Sequence, residues 1–236
     1  PSNSLYQFSD QFTAELWIKP NTYQDYEGAI SYGMGGSTDA GFAIAYFATG
    51  WRFYLKTTES IPDWATMVSA SAPAAQWTHL ACTYDGSMKR LYRNGNLIDE
   101  QEMTGNIVWD GVADLYIGYF NSTSSNKYFE GNIDEVRLWN TVRTGAQLKG
   151  NKSINLQGNE DGLVGYWRAD ESLGITLNDY TSNQIDGSLN GAAFTTLNSP
   201  INFSTPVYDN TVIIGSNYQL RTKIGSEDFQ NFGDLQ

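Results

Sequence analysis

The chain has 236 residues, with 14 lysines and arginines against 26 aspartates and glutamates, one histidine, one cysteine, 7 Trp, 15 Tyr and 11 Phe. Its net charge of −12 argues against nucleic acid and anionic lipid as partners, because both would be repelled. One cysteine cannot form an intrachain disulfide, and one histidine cannot build a multi-histidine zinc site.

The sequence contains neither a membrane-spanning segment nor an initial Met. No apolar run approaches the roughly 18 residues of a membrane-spanning helix, so we expect no membrane insertion. The chain begins at Pro1 rather than Met. We therefore expect a piece of a longer protein, with neighbouring domains as partners.

The composition favours strands over helices. Only 17% of the residues are charged, while Gly, Asn, Ser, Thr and Tyr are abundant. In the first segment Phe12, Ala14, Leu16 and Ile18 alternate with more polar residues, which is typical of a half-buried strand. Similar segments follow, and they predict a sandwich or barrel. The predicted strands are 12–20, 28–32, 41–48, 51–57, 76–85, 89–94, 97–101, 113–120 and 132–140.

Two local signals are specific. Asn94-Gly95 between apolar runs predicts a hairpin with a type I′ turn, because both residues tolerate positive φ. Thr144 followed by Gln147 resembles a capping box and predicts one short helix.

The sequence after the predicted helix indicates where the main domain ends. Residues 162–168 are predicted as a further strand. We expect the main domain to cover 1–197. The remaining 198–236 are predicted to be a linker and a partial following module or a docked hairpin.

Four segments in order carry a family resemblance: Phe12–Pro20, Trp77–Gly86, Leu91–Gly95 and Gly131–Asn140. They resemble the laminin-G-like, concanavalin A-like jelly-roll domains, a superfamily shared by pentraxins, lectins and glucanases. The resemblance implies an all-β, two-sheet antiparallel jelly-roll sandwich.

Residues 162–194 are similar to the segment that accompanies such domains in large secreted bacterial surface proteins, which implies an extracellular or cell-surface setting. One departure from the pattern is that relatives usually carry an extra strand ahead of residues 1–5. Either the fold tolerates an incomplete edge, or 162–194 supplies that strand.

The sequence argues against catalysis. Retaining glycosidases need two carboxyl groups about 5–5.5 Å apart, and jelly-roll hydrolases place them on one strand as Glu-x-Asp-x-Glu. No such string occurs, and Glu130, Asp134 and Glu135 have the wrong spacing. His79 and Cys82 are predicted on opposite faces of one strand, so they cannot easily act together. We therefore predict no enzyme activity.

Calcium is the metal that this composition suits, because it prefers carboxylate and carbonyl oxygens. The resemblance implies a structural calcium ligand at the residue preceding the last long strand, and Asp134 occupies that position. The alternative is that Asp134 caps the strand end or pairs with Arg137.

Sugar binding needs exposed aromatic faces flanked by polar groups. Aromatic residues in loops or at strand ends are the candidates, although such residues also cover core edges. The predicted ligand-binding residues are Trp64, Trp109, Tyr119 and Asn121, with Tyr23 and Tyr26 ranked next.

The sequence thus predicts a non-catalytic carbohydrate-binding or adhesion module of an extracellular or cell-surface multidomain protein. Its partner would be a glycan or a cell-surface protein. The alternative is a structural spacer or protein–protein interaction domain without a glycan ligand of its own.

Overall fold

The structure is a computed structural model that describes residues 4–33, 40–59, 67–68, 72–109, 114–121, 126–195, 199–201, 221–222 and 230–231. The chain divides into two compact units, Pro1–Pro200 and Ile201–Gln236. Of the predicted linker and module or hairpin at 198–236, the structure describes only residues 199–201, 221–222 and 230–231.

The described residues of the first unit form strands, one α-helix and a short 3-10 turn at Ser4–Tyr6. Its first eight strands are β1 (Phe12–Pro20), β2 (Gly28–Tyr32), β3 (Phe42–Phe47), β4 (Gly50–Leu55), β5 (Met67–Val68), β6 (Thr78–Tyr84), β7 (Met88–Arg93) and β8 (Asn96–Glu102). They are followed by β9 (Leu115–Ile117), β10 (Tyr119–Asn121), β11 (Asn126–Tyr128), β12 (Gly131–Trp139), helix α1 (Gly145–Asn151), β13 (Leu163–Trp167), β14 (Thr176–Leu177) and β15 (Gly187–Ser188). In the second unit β16 (Arg221–Thr222) pairs with β17 (Gln230–Asn231).

Two antiparallel sheets form the body of the first unit. One has six strands in the order β13-β12-β1-β6-β7-β8, and the other has five in the order β5-β4-β3-β2-β9. The predicted all-β, two-sheet antiparallel jelly-roll sandwich with one short helix is confirmed. None of the described helices is long and apolar enough to cross a membrane.

The core lies between the sheets and follows the alternation of the sequence. Phe12, Leu16 and Ile18 point inward from β1 and are fully buried. Phe12 contacts Phe42 of the opposite sheet with ring centroids 4.6 Å apart. The inner faces therefore hold the apolar members of each strand, and their sequence neighbours lie on the outer faces.

Both local predictions are confirmed. Asn94 has φ 54° and Gly95 has φ 77°, the left-handed conformations of the predicted turn between β7 and β8. Thr144 accepts a hydrogen bond from the Gln147 amide, and Gln147 bonds back to the Thr144 amide, so the capping box begins α1 as predicted.

The prediction of one strand at 113–120 is wrong. Gly118 has φ 77° and breaks the segment into β9 and β10. Its amide donates to the Ala29 carbonyl at 2.9 Å, and its carbonyl accepts from the Phe129 amide at 2.9 Å. As a result β9 stays in the five-stranded sheet, while β10 pairs with β11 outside it.

The segment 162–194 supplies an edge strand. β13 pairs antiparallel with β12 and completes one side of the six-stranded sheet. That this segment replaces the strand which relatives carry ahead of residues 1–5 stays a prediction.

The outer face of the six-stranded sheet is covered by chain. Leu148 of α1 packs on Ala81 and Tyr92 from this face. The Trp17 indole nitrogen, also on this face, donates to the Lys152 carbonyl at 2.6 Å. The helix and the residues after it are therefore an integral layer of the fold.

A buried polar network holds that layer. Glu15 and His79 are each 1% exposed, and Glu15 Oε2 lies 2.9 Å from His79 Nε2. The Trp139 indole donates to Glu15 Oε1 at 2.9 Å. Because every strong contact of this carboxylate is with a neighbouring strand, the pair locks β1 between β6 and β12.

Arg137 extends the network to the covering segment. Its guanidinium donates to Glu135 Oε2 at 2.5 Å and to the carbonyls of Asn151 at 3.0 Å and Ile154 at 2.6 Å. The Tyr166 hydroxyl also donates to Glu135, at 2.7 Å. Buried charge is thus paired, and the removal of one partner would leave the other without compensation.

His79 makes the stability of the fold depend on pH. Burial lowers the pKa of His79 below its ordinary value of 6.5 and outweighs the opposing effect of Glu15. As pH falls through about 6.5, the unfolded chain binds a proton before the folded chain does, so the His79 contribution to stability declines. Burial would raise the pKa of Glu15, but the His79 hydrogen bond, with Arg137 and Trp139, holds it below its ordinary value. The loss of stability from Glu15 therefore begins only at lower pH.

We predict that the difference in unfolding free energy between the wild type and His79→Gln shrinks as pH falls from 8 to 5. Denaturant unfolding at each pH measures it, and His79 is the only histidine of the chain. A difference that stays constant across this range would contradict the assignment.

Candidate functional site

The β10–β11 hairpin lies against the outer side of the five-stranded sheet, and its position depends on Gly28. A Cβ at Gly28 would stand 2.5 Å from the carbonyl carbon of Tyr119, a distance that backbone atoms cannot tolerate. The Ser31 hydroxyl donates to the Tyr119 carbonyl at 2.8 Å. The close approach at Gly28 and this hydrogen bond fix β10 over β2.

Three tyrosines meet on and beside this hairpin, and we call them the tyrosine surface: Tyr116, Tyr119 and Tyr128. The ring centroids of Tyr116 and Tyr119 are 5.1 Å apart, and those of Tyr119 and Tyr128 are 5.0 Å apart. Tyr128 is 59% exposed, while the other two are half-buried. Burial raises the pKa of Tyr119, so its hydroxyl stays protonated and can donate.

A second aromatic group lies under the other side of β10, and we call it the aromatic floor: Tyr26, Phe47, Tyr54 and Phe120. The ring of Phe120 lies 5.9 Å from that of Tyr54 and 6.3 Å from that of Tyr26, and Tyr26 lies 4.7 Å from Phe47.

The strands under the aromatic floor carry small side chains. Ala43 and Ala45 on β3 are fully buried beneath these rings. Because alanine leaves room above the sheet, the rings can lie close to its backbone.

Arg52 on β4 adds a cation to this face. Its guanidinium carbon lies 4.4 Å from the centroid of the Phe47 ring. Burial raises the pKa of Tyr54 to about 12, although a hydrogen bond with the Arg52 side chain opposes the shift. The nearby Asp25 carboxylate accepts the Ala48 amide at 2.7 Å. The face thus combines aromatic rings with a few polar groups, as ligand sites do.

Some of the predicted ligand-binding residues lie on this face. Tyr119 belongs to the tyrosine surface, and Tyr26, ranked lower, belongs to the aromatic floor. The backbone of Asn121 ends β10 opposite Asn126, and its side chain is outside the described residues. Trp64 also lies outside the described residues, so its role stays a prediction.

Sequence reasoning did not select Tyr116, Tyr128 or Arg52. A signal was present, because Arg52 and Tyr54 alternate with Trp51 and Phe53, which are buried in the core. Two such alternating residues on one strand mark a second, outward face.

Trp109 lies elsewhere, against the core. Its indole nitrogen donates to the Phe8 carbonyl at 2.8 Å. Its ring lies 4.8 Å from that of Tyr32 and 6.5 Å from that of Phe42. Trp109 therefore covers an edge of the core, which is the alternative role that the sequence left open for aromatic residues in loops.

We predict that Trp109→Phe lowers the free energy of unfolding by about 1–3 kcal/mol, because it removes a partly buried hydrogen bond and part of the packing. Denaturant unfolding measures the loss. Leu173→Ala, at a side chain 86% exposed, is the control and should change little. A Trp109→Phe variant with wild-type stability would instead support a role in ligand binding.

Asp134 is buried, with 9% of its surface exposed. Burial, then the charges of Glu135 and Asp170, raise its pKa to about 7. The alternative pairing with Arg137 is wrong, because Arg137 instead pairs with Glu135 at 2.5 Å and lies 3.9 Å from Glu15.

One oxygen atom of Asp134 is suited to bind calcium. Asp134 Oδ1 is buried and has no hydrogen-bond partner, which suits a ligand oxygen. The part of the chain that the structure describes contains no group of three or more His, Cys, Asp or Glu arranged for a metal. Calcium at Asp134 therefore stays a prediction, with backbone carbonyls as its other ligands.

We predict that calcium raises the melting temperature of the wild type progressively with its concentration and does not raise that of Asp134→Asn. A ligand at one hundred times its Kd adds about 2.7 kcal/mol to stability. Thermal melting after chelation, with calcium or magnesium added back, measures the effect. An unchanged wild-type melting temperature would remove calcium from the account.

Residues that could act as nucleophile or base are enclosed. Cys82 faces the core from β6, and burial raises the pKa of its thiol. His79 points to the opposite face, where it bonds to Glu15. The two side chains are thus separated by the sheet, as the alternation predicted.

Comparison with known families gives one match over most of the sandwich. The model of the concanavalin A-like lectin/glucanases superfamily matches residues 1–149. That range ends inside α1, so it includes β1 to β12 and leaves out the edge strand β13.

Two kinds of relative were found. Mouse pappalysin-1 is 26% identical over an alignment of 240 positions that covers 89% of this chain and 14% of that protein. A protein from Bacteroides ovatus assigned as carbohydrate-binding is 22% identical, with a TM-score of 0.65 over 82% of this chain and 55% of its own. The CBM40 domain of a Ruminococcus gnavus sialidase, bound to α2,3-sialyllactose, is 19% identical, with a TM-score of 0.51 over 61% of this chain and 83% of its own. At these identities the solved structures show the same fold.

Proposed function

The chain belongs to the concanavalin A-like lectin/glucanases superfamily, and on that basis we propose that it is a non-catalytic carbohydrate-binding module whose ligand lies on the tyrosine surface. The observation that carries the proposal is the set of three adjoining tyrosine rings held on the outside of the sheet.

The chemistry of these rings suits a sugar. Pyranose rings present C–H faces that pack on aromatic side chains, and tyrosine adds a hydroxyl for hydrogen bonding at low conformational cost. Tyr128, at 59% exposed, offers the most accessible ring. Tyr116 and Tyr119 adjoin it, and Arg52 and Asp25 lie near the aromatic floor, where they could supply groups for sugar hydroxyls.

The rigidity of the platform also supports binding. Tyr119 and Tyr128 face each other in register on β10 and β11. The crossing at Gly28 fixes β10 on the sheet. A preformed surface does not have to be ordered when ligand arrives, and the entropy cost of binding is reduced accordingly.

The relatives support the same reading. One structural neighbour is assigned as carbohydrate-binding, and another is a carbohydrate-binding module bound to sialyllactose. The absence of catalysis is supported by the chain itself, because Glu15, Glu135 and His79 are engaged in the buried network under α1.

We further propose an extracellular or cell-surface setting in which the module serves adhesion or glycan recognition within a longer protein. Polymeric glycans are met mainly outside cells. The chain spans 14% of the length of the mouse pappalysin-1 that it matches, so neighbouring domains are its expected partners.

We predict that Tyr128→Ala and Tyr119→Ala each weaken glycan binding by about five- to 150-fold, since the stacking of a ligand ring on one aromatic side chain contributes on the order of 1–3 kcal/mol for nucleobases and a similar contribution is expected for a sugar. Screening on a glycan array identifies the ligand, and affinity electrophoresis on that glycan measures the effect. Tyr180→Ala is the matched control, because Tyr180 is 38% exposed but contacts Arg168 and Tyr166 beside β13.

Retention of the wild type on no glycan would favour a structural spacer or protein–protein interaction domain instead. Equal losses in Tyr180→Ala and Tyr128→Ala would show that the ligand does not lie on the tyrosine surface.

A further inference from the structure

We propose that Arg52 makes this face selective for an acidic oligosaccharide, one that carries a carboxylate on a sugar ring. The inference rests on the proposed function, because it names the class of glycan that the same face takes.

Arg52 is held in place, and none of the described residues forms an ion pair with it. Its guanidinium carbon lies 4.4 Å from the centre of the Phe47 ring, so one face of the cation rests on an aromatic side chain. Its hydrogen bond with Tyr54 fixes the group from a second side.

Among the described residues Arg143 and Arg168 also have no ion pair, but they lie beside Trp139 and Tyr180 at the six-stranded sheet, whereas Arg52 lies on the outer face of the five-stranded sheet. The chain has a net charge of −12 and carries many more acidic than basic side chains. Arg52 Nε is buried and has no hydrogen-bond partner. A carboxylate that binds the guanidinium of this half-buried side chain adds charge-assisted hydrogen bonds.

The paired arginines of the chain show the contrast. Arg90, on the other sheet, bonds to Asp85 at 2.6 Å and to Glu100 at 3.0 Å. Arg137 bonds to Glu135 at 2.5 Å. Arg52 shares a sheet face with aromatic residues and with Asp25, whose Oδ1 accepts the Ala48 amide.

The planar guanidinium selects a particular anion. Its N–H groups form a fork that matches a carboxylate, and two parallel charge-assisted hydrogen bonds are stronger than one to a neutral hydroxyl. Because Phe47 covers one face of the plane, the ligand is expected to approach the edge of the fork.

The positions of the two groups suit one oligosaccharide. Arg52 lies on β4 and Tyr119 lies over β2, two strand spacings or about 10 Å apart. The rings of the aromatic floor continue between them, from Phe47 through Tyr26 to Phe120. A chain of a few sugars can place its acidic ring at Arg52 and its neutral rings on the tyrosine surface.

The test is a competition between matched acidic and neutral probes in isothermal titration calorimetry. The pairs are 3′-sialyllactose against lactose and a galacturonic acid trisaccharide against its reduced, neutral form. We expect the wild type to bind one acidic probe at least tenfold more tightly than its neutral partner, and the pair that responds identifies a sialic or a uronic acid. The preference should fall as salt is raised.

Substitutions of Arg52 distinguish an effect of its charge on binding from an effect on the structure of the face. Arg52→Gln should lose at least tenfold more affinity for the acidic probe than for the neutral one, and Arg52→Lys should keep part of the preference. Arg90→Gln, whose arginine is already paired, is the control and should bind as the wild type does.

Failure of the inference differs from failure of the function. If neutral and acidic probes bind equally, or if Arg52→Gln loses both equally, the selectivity is overturned while glycan binding stands. If neither these probes nor a glycan array gives binding, both are overturned.

Discussion

The close approach of two backbones at Gly28 is the constraint on which the proposed site depends. Because residue 28 has no side chain, β10 can cross β2 with the Tyr119 carbonyl carbon 2.5 Å from where a Cβ would stand. Neighbouring side chains of β10 therefore join different aromatic groups. Phe120 faces the sheet, and Tyr119 faces Tyr116 and Tyr128. A single glycine thus converts a sheet edge into an aromatic surface.

The two sheets of the sandwich are used differently. The outer face of the six-stranded sheet is covered by α1 and the residues after it, and the ionic network of Glu15, His79, Glu135 and Arg137 holds that cover in place. Beside the outer face of the five-stranded sheet, Tyr116, Tyr119 and Arg52 are half-buried and Tyr128 is exposed. Buried ion pairs thus join the strands of the six-stranded sheet under its cover, whereas Arg52, on the other sheet, has no ion-pair partner among the described residues.

The sequence predicted what local rules control. Alternation located the core of β1, Asn94-Gly95 located a turn, and Thr144 with Gln147 located α1. It did not predict the break at Gly118, because a lone glycine inside an alternating run is compatible with a continuous strand, and only the hydrogen bonds to Ala29 and Phe129 show otherwise. Nor did it separate Tyr119, which faces outward, from Trp109, which covers the core, because both follow turns and their burial depends on contacts far along the chain.

The central claim is that ligand lies along the face from the tyrosine surface to Arg52. The most direct measurement is a titration with 3′-sialyllactose followed by NMR chemical-shift mapping of the assigned protein. The account predicts the largest changes at Tyr116, Tyr119, Tyr128 and Arg52, with little change at the covered face around Trp17 and Tyr166. Changes concentrated at the covered face, or at loop residues such as Thr22 and Glu130, would contradict it.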